Sequence, residues 1–165
     1  MRQFGEFNDY KELNQAAAGL KAEGDQDSLY KLAEENGLER ADVDDYLAGY
    51  MEELTTIYTA AFGELVAQEK EDIESKKSLI EKMPLRVIMT MLRGMCTEEE
   101  VAVAVKSKGK RVSEIYKAMR AEAEKNKTGS MGVSCGTDRE LCEIIREYYL
   151  GTKETFQKKL EDLYR

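Results

Sequence analysis

Apolar residues return along this chain at the spacing of one face of an α-helix. Leu54, Ile57, Tyr58, Ala61 and Leu65 recur at i, i+3, i+4, i+7 and i+11, and Val112, Ile115, Tyr116, Met119 and Ala123 repeat the series. Leu141, Ile144, Ile145 and Tyr148 follow the same rule, so three segments each offer an apolar stripe to a shared core. VAVAV at 101–105 carries the β-branched residues of a strand. Its valines alternate with alanine rather than with polar residues, and a helix-start signal precedes it, which favours helix.

Terminal signals place the ends. Thr97 with Glu100, and Thr137 with Glu140, each read as a capping box, in which the hydroxyl takes an orphan N–H and the carboxylate reaches back. Asn36-Gly37 and Gly151 suit left-handed C-terminal caps, and Pro84 suits the first turn of a helix carrying Leu85, Ile88, Met89 and Leu92. The pattern predicts helices near 8–22, 28–36, 40–48, 50–74, 84–95, 97–106, 111–126, 137–150 and 152–164. GDQD at 24–27 and TGSMGVSCG at 128–136 are the clearest loops. The expected fold is all-α, a compact helical domain of about seven to nine helices with an acidic N-terminal helical module. The expected division is an acidic module over 1–82 and a core over 83–165, or one continuous domain.

Composition agrees with helix: there is one proline and no tryptophan in 165 residues. Charge changes the picture more. Residues 1–82 hold 20 acidic and 9 basic side chains, a net of -11, whereas residues 83–165 hold 13 acidic and 16 basic, a net of +3. Such asymmetry points to a charged partner, although excess carboxylates also serve solubility. No apolar run approaches the roughly 20 residues needed to cross a bilayer, and the start MRQFGEFNDYKEL lacks a signal-like stretch, so the expected location is the cytoplasm.

Chemistry narrows by exclusion. With no histidine, Ser-His-Asp and Cys-His arrangements and histidine-ligated metal sites are excluded. Cys96, Cys135 and Cys142 form no C-x-x-C pair and read as reduced thiols behaving as small hydrophobes. The glycines of TGSMGVSCG open onto a helix start as a phosphate cradle would, but no strand feeds them, which favours a flexible connector. The expectation is no enzyme, no cofactor and no metal.

KSKGKR at 106–111 places Lys106, Lys108, Lys110 and Arg111 within six residues. It is not a P-loop, because Arg111 stands where Ser or Thr is required and Ala104 where the first glycine would be. Lys106 and Lys108 fall at a helix C-terminus, where cations complement the macrodipole, and Gly109 permits the turn. Lys110 and Arg111 open the next helix, where cations are unfavourable, which leaves a binding role open. All four are expected to be solvent-exposed on a turn between antiparallel helices.

The succession MLRGMCTEEEVAVAVKSKGKRVSEIYKAM, a loop, then DRELCEIIREYYLG resembles the core of the PcfK-like proteins encoded by conjugative plasmids and integrated elements. Their pattern is a hydrophobic helix ending in Cys, an acidic helix start, a G-K turn, a helix opening on a small residue, and a final helix ending in paired aromatics. Here these fall on Cys96, Glu98 to Glu100, Gly109-Lys110, Ser113 and Tyr148-Tyr149. AEENGLERADVDDYLAGYMEEL at 33–54 resembles a module that often precedes this core. Lys110-Arg111-Val112 departs from the Lys-Ser-Leu common at the family's turn.

The resemblance implies a mobile-element protein acting by binding, since some members are described as inhibitors of the Cas9 nuclease, that is, anti-CRISPR proteins. An acidic surface built from Asp42, Asp44, Asp45, Glu52 and Glu53 would compete for a basic channel or bind another basic face. The alternative is a nucleic-acid-binding accessory protein of conjugation or plasmid replication, using Lys106, Lys108, Lys110, Arg111, Lys117 and Arg120.

Overall fold

The computed structural model describes residues 3–107, 109–126 and 136–165, and every regular element among them is helical. The chain divides into two compact units, Met1–Ala67 with Cys96–Gly109, and Gln68–Met95 with Lys110–Arg165. The units are therefore interleaved along the sequence.

The first unit holds α1 (Tyr10–Glu23), α2 (Gln26–Glu35), α3 (Arg40–Ala48), α4 (Ile57–Gln68, apart from its last residue) and α6 (Glu99–Ser107). Asp9 and Asp25 cap α1 and α2 by accepting backbone N–H groups, at 2.8 Å from Lys11 and 3.1 Å from Ser28. Helix α2 thus begins inside GDQD, and Gly24, left-handed at φ 74°, carries the turn. Leu13, Leu29, Leu32, Val43 and Leu54 are fully buried and join α1, α2, α3 and the stretch before α4 into one cluster. The N-terminal strap is tied to it by polar bonds. The Glu35 carboxylate accepts from Phe4 and Gly5 N–H, each at 2.8 Å, and Asn36 Oδ1 accepts from Phe7 N–H at 2.9 Å.

The helix expected over 50–74 begins at Ile57 instead. Two devices stop it earlier. The Asn14 side chain, 8 % exposed, satisfies both backbone groups of Thr55, accepting from its N–H at 3.0 Å and donating to its carbonyl at 2.9 Å. Thr56 then acts as the cap, its hydroxyl accepting from Thr59 N–H at 3.2 Å. The expected left-handed turn at Asn36-Gly37 is present, with Gly37 at φ 70°. It packs backbone to backbone on α4: a Cβ on Gly63 would lie 2.8 Å from the Gly37 carbonyl oxygen and 2.9 Å from that of Asn36.

The second unit holds a π-helical turn (Glu69–Glu74), α5 (Leu79–Met95), α7 (Val112–Lys125), α8 (Asp138–Leu150) and α9 (Lys153–Tyr164). Its core takes Ile73, Leu85, Ile88, Met89, Leu92, Ile115, Ile144, Ile145 and Tyr149. Helix α5 starts five residues before Pro84, with Ser78 as cap, so the proline sits inside the helix rather than in its first turn. The carbonyl it leaves unserved is that of Ile80, a residue 84 % exposed, where water is at hand. The capping box of Thr137 and Glu140 forms as expected. Gly151 is not left-handed but extended, at φ -84° and ψ -170°. Its role is space: a Cβ there would meet the Glu147 carbonyl oxygen at 2.7 Å and Thr155 Oγ1 at 2.6 Å.

Candidate interaction surfaces

The acidic residues expected to bind a partner lie in the first unit and are not equivalent. Asp42 is the third residue of α3, and its carboxylate accepts from Glu39 N–H at 2.9 Å in a capping box, so it is committed to the helix start. Asp44, exposed, accepts from the Tyr30 hydroxyl, and this bond holds the Tyr30 pKa above its usual value. The Arg40 guanidinium covers the same ring at 4.2 Å from its centroid. Glu53, exposed, accepts from Asn14 Nδ2 at 3.2 Å. Asp45 and Glu52 are exposed. Between them Tyr50 projects with 84 % of its surface in solvent.

The KSKGKR cations are a different matter, and the expectation that all four are exposed is corrected. Lys106 is 3 % exposed on α6, with Nζ 4.0 Å from Glu64 Oε2. Burial lowers its pKa, and the Glu64 and Glu6 carboxylates oppose that shift. The cause is visible in the stretch VAVAVK. Every residue of it but Val103 is buried, and Lys106 falls one turn beyond buried Ala102. Lys106 lines a half-open cavity of about 310 Å³ with Tyr10, Ile57 and Val103.

Lys110 and Arg111 belong to the second unit, and both are half-buried. Lys110 Nζ donates to the Tyr148 carbonyl and lies 5.0 Å from that ring's centroid. Arg111 Nε donates to Asp72 Oδ2 at 2.8 Å and Nη2 to Glu71 Oε2 at 3.0 Å. Ser113 Oγ also donates to Asp72 Oδ2, at 2.8 Å. Gln68, 1 % exposed, closes the clamp: Nε2 donates to the Lys110 carbonyl at 3.0 Å, and Oε1 accepts from Val112 N–H at 3.2 Å. The Tyr148 hydroxyl accepts from Arg111 N–H at 3.3 Å and donates to Glu114.

This is an architectural hub. The Asp72 hydrogen bond is the main cause that raises the Arg111 pKa, against burial. Burial pushes Asp72 up, and bonds from Arg111 and Ser113 more than offset it, so Asp72 sits below the usual carboxylate value. Arg111, the cap residue of α7, would be unfavourable there because of the macrodipole; two carboxylates from the π-helical turn compensate it. Lys108 lies outside the described residues. Lys117 and Arg120 are exposed on α7, and Arg120 pairs with Glu124 at 3.0 Å.

Cys96 is buried, which pushes its thiol up to about 11; Cys142 is half-buried. Cys135 and nearly all of the glycine-rich stretch lie outside the described residues. Among the described residues no group of three or more His, Cys, Asp or Glu side chains is placed to hold a metal ion. No helix among them is long and apolar enough to cross a membrane.

Tyr58, placed in a buried stripe by its spacing, is 45 % exposed and followed on α4 by exposed Phe62 and Val66, and two further surfaces escaped the sequence reading. Tyr50 is one. The other is the outer side of α5, where Leu79, Met83 and Val87 follow one another at i, i+4 and i+8 in solvent. That spacing was available in the sequence, but the opposite stripe of the same helix, Leu85, Ile88, Met89 and Leu92, accounts for the core and hides the second one. Set against known proteins, the chain matches no family model, no curated protein and no solved structure.

Proposed function

We propose that this chain is a binding protein without chemistry of its own, which docks the acidic face of its first unit on a basic surface of a macromolecular partner. The observation that carries this reading is the exposed set Asp44, Asp45, Glu52 and Glu53, on either side of the exposed Tyr50 in the sequence. An exposed aromatic in a stretch rich in like charges supplies contact area and electrostatic steering together. In the setting that the PcfK-like resemblance implies, the partner is Cas9 and the protein is a mobile-element inhibitor acting in the cytoplasm, the nuclease's basic nucleic-acid channel being a surface of matching sign. Nucleic-acid binding has weaker support, because Lys106 is buried and Lys110 and Arg111 are engaged internally. A phosphate backbone needs cations free to displace its counterions.

The test is cleavage of target DNA by purified Cas9 and guide RNA, with and without the protein. Inhibition is expected near stoichiometric ratio, weakened about tenfold or more in Asp45→Lys/Glu52→Lys. Unchanged cleavage by several type II nucleases at large molar excess overturns the Cas9 assignment. A gel shift at low salt without Cas9 separates the readings: tight binding to DNA or RNA favours the accessory-factor function.

A further inference from the structure

Helix α5 is apolar on both sides. Leu85, Ile88, Met89 and Leu92 are at most 3 % exposed, whereas Leu79, Ile80, Met83 and Val87 are 63, 84, 56 and 44 % exposed. A contiguous exposed apolar patch marks a contact surface. Leu79, Met83 and Val87 line a depression of about 450 Å³ with Arg86, Thr90 and Met91.

The rim carries the opposite sign to the chain as a whole. Between 74 and 95 the sequence has Lys76, Lys77, Lys82, Arg86 and Arg93 against Glu74 and Glu81, in a chain of net charge -8. Lys82 and Arg86 share one carboxylate, Glu74, at 3.5 and 2.7 Å. We propose that this face docks an acidic amphipathic helix of a partner protein. Its apolar stripe presses on Leu79, Met83 and Val87, and its flanking carboxylates face Lys76, Lys77, Lys82 and Arg86. From Leu79 to Met91 this side of α5 runs roughly 18 Å, which matches about three turns of a partner helix. A second copy fits poorly. Two-fold pairing of α5 about Met83 and Val87 would set Lys82 and Arg86 beside the same residues of the other copy, with one Glu74 for each two cations, so a second copy brings less negative charge to this face than an acidic helix does. This surface lies in the second unit and is independent of the acidic face, so either can fail alone.

The probe is a labelled synthetic helix of about 14 residues with leucines at i, i+3 and i+7 flanked by glutamates, titrated into the full chain by fluorescence anisotropy. A twin with lysine flanks, vesicles containing anionic phosphatidylserine, and sedimentation velocity of the protein alone complete the set. The glutamate helix is expected to bind saturably and more weakly as salt rises, with affinity falling about tenfold or more in Met83→Glu or Val87→Glu. Ile80→Glu, at the most exposed position, serves where either of these fails to fold. Lys82→Glu/Arg86→Glu should transfer the preference to the lysine helix. Equal binding of both helices, indifference to these substitutions, or no saturation up to about 1 mM overturns the proposal. Vesicle binding without helix binding assigns the face to lipid, and a dimer lost in Met83→Glu assigns it to a second copy.

Discussion

Replacing Arg111 with alanine tests whether the KSKGKR stretch is structural. The side chain makes two charge-assisted bonds, one to Asp72, whose side chain is 23 % exposed, and one to Glu71, whose side chain is 44 % exposed. Hydrogen bonds to charged groups contribute about 1.5–3 kcal/mol when shielded, and exposed pairs about 0.2–1 kcal/mol. With Arg111 itself 34 % exposed, the Asp72 bond belongs near the bottom of the first range and the Glu71 bond inside the second. The expected loss is about 2 kcal/mol, set against about 0.5 kcal/mol or less for an ordinary exposed turn. The assay is urea unfolding followed by far-UV circular dichroism, for wild type, Arg111→Ala, Asp72→Asn and the double variant. A coupling energy of about 1 kcal/mol or more is expected from the cycle. The sign with pH follows from Asp72. Its folded pKa is lowered, so its contribution is present at neutral pH and is lost as pH falls below the ordinary carboxylate value and through the folded one. The wild-type advantage over Asp72→Asn should shrink in acid. A loss below about 0.5 kcal/mol with no coupling would refute the hub and return the motif to a wet turn.

Gly63→Ala should destabilise by about 1–3 kcal/mol in the same assay, because the new methyl meets backbone oxygens of Asn36 and Gly37 that cannot rotate away; an unchanged midpoint would show that the loop retreats freely. Lys106→Met should be neutral or stabilising at neutral pH, since a charge 3 % exposed with its nearest carboxylate oxygen at 4.0 Å recovers little of its desolvation. Burial lowers the folded pKa of Lys106, so the unfolded chain binds more protons between that value and the usual one. Wild-type stability should therefore rise relative to Lys106→Met as pH climbs through this window, and parallel curves would contradict it.

What the sequence shows well is what neighbours within one helix decide. The stripe Val112, Ile115 and Met119 is buried as its period requires, and Thr137 with Glu140 starts α8. What it hides is set by residues far along the chain. Residues 50–56 stay out of helix because the Asn14 amide, 41 positions away from Thr55, takes that residue's backbone groups. Arg111 reads as a free cation because its partner Asp72 lies 39 positions away, on a π-helical turn with no sequence signature. Gly151 and Gly37 look alike after a helix end, and both leave room for close backbone approach, yet only Gly37 is left-handed. The acidic candidates were legible as a cluster, but not as residues with separate duties, since the capping of Asp42 depends on where α3 begins.

The charge asymmetry survives the interleaved division of the chain. The first unit has 18 acidic and 7 basic residues, a net of -11, and the second has 15 and 18, a net of +3. In the second unit carboxylates meet cations at short range, Asp72 with Arg111, Glu69 with Arg93 and Glu143 with Lys159. In the first unit most carboxylates cannot be matched by a cation of their own unit, so their mutual repulsion works against its compact state. Added salt screens that repulsion and the attraction to a basic partner alike. Ionic strength therefore moves the stability of this unit and its affinity for such a partner in opposite directions, the pairing that separates a surface held acidic for binding from one whose carboxylates are tied into the fold.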